Sequence, residues 1–286
     1  MKSESAASSP PSIGSPSFLE RNEFLLRRLH SLSGIIPVGA YMVIHLLTNA
    51  TVLDKHGTTF QRMVYQIHSL PFLLAIEWTF IFLPIIFHAV YGIVIVRTGM
   101  SNVSNYPYRK NWRYTLQRAT GMIAFLFIFW HVFHMHGWIH STRWLEAIAG
   151  WGGMFEKYNA TSSAAAAMQA SILIPIFYTL GVLSCVFHLA NGIWTFGITW
   201  GLWTTPLAQR RADYACIGFG VVLALVSLGA IGGFATADVK TAKEAEDKVY
   251  NAKVASGEIA PDEHQRAKSH GGKEQATLPV VGQGDR

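Results

Sequence analysis

The chain has 286 residues, half of them hydrophobic and only 14% charged, whereas soluble domains carry about a quarter charged residues. Its net charge of +6 comes from basic residues at the ends of apolar runs, and without a groove-reading motif this excludes a nucleic-acid partner. Two cysteines, Cys185 and Cys216, form no disulfide framework and cannot hold a cluster that takes about four thiolates, so iron–sulfur or flavin chemistry must belong to a partner.

Residues 1–23 are polar and Ser/Pro-rich, lack the apolar core of a signal peptide, and read as a disordered tail. The first apolar run, Leu29–Leu47, contains Pro37, which a membrane helix tolerates where neighbours satisfy the freed carbonyl. A polar loop to Ser69 precedes the second run, Pro71–Val96, with a kink expected at Pro84. A basic loop, Arg97–Arg118, leads into the third run, Tyr114–Trp138. A long loop follows, holding Gly150-Trp-Gly-Gly and the low-complexity Ala160-Thr-Ser-Ser-Ala-Ala-Ala-Ala. The fourth run is Ser171–Trp200 and the fifth Tyr214–Phe234. Residues 235–286 are of mixed charge, helical at most over Ala242–Lys253.

Runs of roughly 20 or more residues match a membrane core of ~30 Å, and Trp and Phe gather near their ends as interface belts do. The fold expected is an all-α membrane protein with five transmembrane helices. With the N-terminus inside, the inner segments hold eleven Lys and Arg and the outer loops only Lys55, Arg62, Arg143 and Lys157. That asymmetry orients the chain in the cytoplasmic (inner) membrane. The organisation expected is a polar cytoplasmic tail over 1–23, a membrane domain over 24–234 and a polar extracytoplasmic tail over 235–286.

Four histidines, His45, His88, His131 and His188, sit one to each of the first four runs. At 1.5 Å per residue, His45 lies roughly 22 Å from the inner start of its helix, and His131 reaches a similar outer depth. The second and fourth runs travel inward, which brings His88 and His188 near the inner face, on the order of 15 Å from the other layer. One such histidine is ordinarily a satisfied polar group of a helix bundle. Four, matched in depth, read instead as the axial ligands of two b-type haems, His45 with His131 and His88 with His188. Gly39, Gly92, Gly121, Gly181, Gly192 and Gly197 offer the close approach a flat porphyrin needs, or serve helix packing alone.

Four segments carry a family resemblance: Arg27-Arg-Leu-His-Ser-Leu-Ser-Gly-Ile-Ile-Pro-Val-Gly, Phe82-Leu-Pro-Ile-Ile-Phe-His-Ala-Val-Tyr-Gly, Trp112-Arg-Tyr-Thr-Leu-Gln-Arg-Ala-Thr-Gly and Gly181-Val-Leu-Ser-Cys-Val-Phe-His-Leu-Ala-Asn-Gly-Ile-Trp-Thr-Phe. From Phe24 to Phe234 the chain resembles the cytochrome b membrane anchor of succinate:quinone oxidoreductases (succinate dehydrogenase or fumarate reductase), in the single-chain, five-helix, two-haem form. The resemblance implies flavoprotein and iron–sulfur subunits docked on the cytoplasmic face. It implies electron passage between succinate and a membrane quinone, menaquinone or ubiquinone, across two haems. It carries the four ligands to His45, His88, His131 and His188. The long third-to-fourth loop and both tails depart from compact members of that family.

Other residues are weighed alongside. Arg28, Ser31 and Arg118 at inner helix ends are candidates for haem propionates or quinone, Arg118 foremost, against plain positive-inside anchoring. His30 is expected at the docking face, and His134, His136 and His140 in the outer loop. Glu77 is the one carboxylate well inside a span and so a candidate for quinone protonation, against an interfacial, hydrogen-bonded Glu. Cys185 is expected to pack as a small apolar residue. A cytochrome b of a hydrogenase or formate dehydrogenase is the alternative reading. A transporter is disfavoured, because Pro37, Pro84 and Pro175 have no intramembrane charges beside them.

Overall fold

The computed structural model describes residues 17–54, 58–99, 101, 103–139 and 141–266. The tail segments 1–16 and 267–286, Lys55 in the loop after the first span and His140 lie outside the described residues. Among the described residues every regular element is helical. Five helical segments are long and apolar enough to cross a membrane: Glu23–Leu53, Leu73–Thr98, Arg109–His136, Leu173–Thr199 and Pro206–Thr236.

Helix α1 (Phe18–Arg21) lies within the stretch expected to be disordered. It begins with a capping box, in which Ser17 Oγ accepts from the Glu20 amide and the Glu20 carboxylate accepts from the Ser17 amide. The first span is α2 (Glu23–Ile35) and α3 (Pro37–Ala50), interrupted where Pro37 has no N–H to give. Helix α4 (Thr58–His68) follows. The second span is α5 (Leu73–Glu77), a π turn over Trp78–Phe82, and α6 (Leu83–Thr98). That widened turn is the form taken by the distortion expected at Pro84, one π turn absorbing the lost hydrogen bond. The third span is α7 (Arg109–His136), followed by α8 (Thr142–Ala147) and α9 (Ala160–Gln169). Helices α10 (Leu173–Thr199) and α11 (Pro206–Thr236) are the last two spans, and α12 (Val239–Ala255) ends the fold.

The chain divides into two compact units. The first comprises 1–47, 71–129 and 177–228; the second comprises 48–70, 130–176 and 229–286. In the first, Leu46, Val186, Leu189 and Leu223 form a buried apolar cluster, with Ile35, Met42 and Phe219 packed around it. Its most enclosed helix is α10, buried on several sides through Tyr178, Gly181, Cys185, Val186, Leu189, Ala190, Asn191 and Trp194 among others. Cys185 packs there as a small apolar side chain, as expected.

The second unit overturns two sequence expectations. The alanine-rich run assigned to a loop is α9, and Ala160, Ala165 and Ala167 are fully buried. Small side chains with high helix propensity let neighbours approach closely. The C-terminal segment, expected to be helical at most over 242–253, is helical from Val239 to Ala255 and packs on α9 and α4. Its docking is polar. The buried Glu246 carboxylate accepts from the amides of Thr161 and Ser162 and from Ser162 Oγ, capping the start of α9. Gln61 ties the same turn to α4, accepting from the Ala160 amide and donating to the Lys157 carbonyl. Asp247 accepts from Asn159, Lys243 and Arg266.

Burial pushes the Glu246 carboxyl above the ordinary carboxylate range, outweighing the opposing pull of the Ser162 and Thr161 donors. Glu246→Gln keeps one of the two acceptor oxygens and is expected to raise amide hydrogen exchange across α9 and α12 less than Glu246→Ala does. Glu246→Ala strands buried donors at a cost of about 1–3 kcal/mol, and exchange across both helices should rise; unchanged exchange in that variant would refute the cap.

Candidate functional site

Helix α6 presents His88, whose Nδ1 lies 2.9 Å from the carbonyl of His30 on α2. The His30 ring stacks on the His88 ring with centroids 4.0 Å apart and 9° between planes. A Cβ on Gly34 would sit 2.3 Å from His88 Cε1, so the approach of α6 to α2 requires a residue with no side chain. On the other side, α10 presents His188, whose Nδ1 lies 3.0 Å from the carbonyl of Gln117 on α7. Gly121 is its notch: a Cβ there would sit 2.8 Å from His188 Cε1.

These two imidazoles lie side by side in an edge-on arrangement, centroids 6.1 Å apart and planes at 86°. Each carbonyl accepts a proton carried on Nδ1, which leaves the lone pair of each ring on Nε2; at His188 the Gln117 side-chain amide donates toward it at 3.5 Å. Imidazole–metal bonds of about 2 Å on both sides of one ion put ring centroids on the order of 6 Å apart. Among the described residues no group of three or more His, Cys, Asp or Glu could hold a bare metal ion. A porphyrin iron asks the protein for only two ligands, and the His88–His188 donor set fits it.

The other predicted residues fall as follows. His45 on α3 is half-buried in the first unit, its ring stacked against Tyr41 at 5.5 Å. His131 on α7 is half-buried in the second unit. Arg118 donates to the Ile95 carbonyl at 2.8 Å, and its guanidinium lies 4.3 Å over the Tyr114 ring. Arg28 donates to the Thr199 carbonyl and packs between the rings of Phe24 and Trp200. Glu77 ends α5, half-buried. Ser31 is half-buried on α2.

Three expectations change. His30 does not face a docking surface: it is the half-buried partner of His88, and its Nδ1 is buried with no hydrogen-bond partner. The signal was present in the sequence, since His30 and Gly34 lie one turn apart on a single helix face. His134 and His136 are not in a loop, because α7 continues to His136 and is closed by the Gly137 amide on the Val132 and Phe133 carbonyls. His134 is buried and stacked on Trp130 at 4.5 Å. Of the six glycines singled out, only Gly121 faces one of the four predicted ligand imidazoles. Gly181 receives the Phe127 ring, Gly197 the Trp203 ring, Gly39 the Leu189 side chain and Gly92 the His30 ring.

No protein-family model matches the chain. It is similar to the succinate dehydrogenase cytochrome b558 subunit of Bacillus subtilis (strain 168), 39% identical over 212 residues, covering 74% of this chain and 97% of that protein. The chain belongs to the succinate dehydrogenase cytochrome b family. The family resemblance read from the sequence is thereby borne out, and the five long apolar helices make the chain a multi-pass membrane protein.

The glycine notches supply a direct check on the site. Gly34→Val places carbon where the His88 ring lies, and overpacking of this kind costs about 1–3 kcal/mol; melting of the detergent-solubilised protein should fall accordingly. Gly192→Ala would meet nothing nearer than 3.6 Å and should melt at or above the wild-type temperature. Equal melting of the two variants would contradict the notch.

Proposed function

We propose that this cytochrome b family member is the haem-bearing membrane anchor of a succinate:quinone oxidoreductase, passing electrons between an iron–sulfur subunit and a membrane quinone. The observation that carries the reading is the His88–His188 pair: two imidazoles 6.1 Å apart, each with Nδ1 on a backbone carbonyl. His88 and His188 would ligate one haem b, and His45 with His131 a second. When bound, each haem supplies a one-electron couple. The chain's own part is to present Nε2, hold each ring by its Nδ1 proton, and surround both with apolar helices.

The same reading assigns the remaining candidates. Arg118 keeps guanidinium donors beyond the one given to Ile95, which suits a haem propionate. Glu77 is half-buried within the second span, which suits quinone protonation. The basic residues at the inner helix ends, Arg27, Arg109 and Lys110 among them, support a cytoplasmic N-terminus, docking of flavoprotein and iron–sulfur subunits on that face, and a C-terminus outside.

Redox titration of the purified complex, with haem quantified per chain, tests this. Two b-haems of different potential are expected. His88→Ala and His188→Ala should each remove one of them, and His45→Ala and His131→Ala the other. A single haem, or a pattern of losses that does not sort into those pairs, would contradict the assignment.

A further inference from the structure

A polar chain runs from the His188 turn to the end of the first unit, and the haem assignment leaves it without a role. Gln117 supplies the carbonyl on His188 Nδ1, and its side-chain Nε2 also donates to the His188 carbonyl at 3.1 Å, passing 3.5 Å from His188 Nε2. The Gln117 Oε1 accepts from Asn191 Nδ2 at 2.7 Å. Asn191 Oδ1 accepts from Arg113 Nε at 2.7 Å. Arg113 then pairs through Nη1 with Asp213 on α11, whose other oxygen takes the exposed Arg109. The Arg113 guanidinium lies 4.0 Å over the Trp194 ring.

Asn191 is buried and the Arg113–Asp213 pair nearly so. A buried ion pair is a poor source of stability, since apolar residues of similar volume commonly do as well. What it does supply is polarity. Arg113 can only donate, so Asn191 must turn its oxygen toward it and its amide group toward Gln117. Gln117 must then turn its oxygen toward Asn191 and its amide toward the His188 carbonyl. Two amides that would otherwise flip freely are oriented by one guanidinium, which the Asp213 carboxylate holds in place. Residues 109, 113 and 117 recur at four-residue spacing on α7, and 188, 191 and 194 at three-residue spacing on α10, so the chain also fixes the register of the two helices.

Resting on the haem assignment above, we propose that Asp213, through Arg113 and Asn191, is a positioning residue for His188: it keeps the Gln117 carbonyl on His188 Nδ1 and so sets the electron donation of that imidazole and the reduction potential of the haem it would hold. A hydrogen bond to the outer nitrogen raises ligand basicity and favours the oxidised metal. Loosening it favours the reduced one. Removing the carboxylate also leaves the Arg113 charge uncompensated, which acts in the same direction.

The test is a redox titration of the intact complex carrying Asp213→Asn, Asn191→Ala or Asp213→Glu, each haem followed by its own absorbance. Asp213→Asn is expected to favour reduction of the His188-linked haem about tenfold, an upward shift of about 59 mV for one electron, with the other haem unmoved. Asn191→Ala, which keeps both charges and breaks the link, should shift the same haem the same way, and Asp213→Glu should restore most of the wild-type value. Unmoved potentials in Asn191→Ala, or equal shifts of both haems, would overturn the positioning role even if the complex melts at a lower temperature. Should Asp213→Asn fail to accumulate, Asn191→Ala decides alone. The haem assignment fails separately, and first, if the wild-type complex has no haem that His188→Ala removes.

Discussion

Two hydrogen bonds from imidazole Nδ1 to backbone carbonyls, at His88 and His188, set the terms for the rest of the first unit. In an apolar interior an unsatisfied N–H is costly, and a helical carbonyl has a second lone pair with which to satisfy it. The carbonyls used belong to His30 and Gln117, so α6 must approach α2, and α10 must approach α7, to within a hydrogen bond. At those distances no side chain fits beneath the rings. Gly34 and Gly121 follow from that requirement. The same hydrogen bonds fix the tautomer of both rings, with the proton on Nδ1 and the lone pair on Nε2.

The two units handle buried polarity differently. In the second, Glu246 and Gln61 satisfy backbone groups at the start of α9, and Asp247 gathers Asn159, Lys243 and Arg266. Their work is local: they dock a polar C-terminal helix on a helix too small-sided to offer much apolar area. In the first unit the polar chain from Asp213 to Gln117 ends on a candidate ligand instead. It starts at the basic ends of α7 and α11, where Asp213 has several cations near it in sequence and pairs with Arg113 and Arg109, and a buried ion pair there needs a reason beyond stability.

Hydropathy and length alone revealed the five spans, because each had to match a membrane thickness. The proximity of His88 and His188 followed from counting helix rise along spans of alternating direction. Where the reading failed, the cause was a contact that no periodicity records. His30 looked like one more residue at an interface, because nothing in a single sequence says that α2 turns its ring toward α6. The alanine-rich α9 looked like low complexity, because its burial depends on Glu246, some 85 residues away in the chain. His134 was expected in a loop because it lies past the depth that matches His45, yet α7 runs on to His136 and keeps His134 buried. The Ser17–Glu20 capping box, by contrast, was legible and went unread.

The central proposal is that His88 and His188 would hold one haem iron between them, and their near-perpendicular ring planes would give that haem a spectroscopic signature. Perpendicular imidazole planes leave two iron d orbitals almost equal in energy, which produces a low-spin ferric signal with one very large g-value. Electron paramagnetic resonance of the oxidised wild-type complex should show that signal, and it should vanish in His88→Ala and in His188→Ala alike. A signal that survives either substitution would place the iron elsewhere and contradict the account.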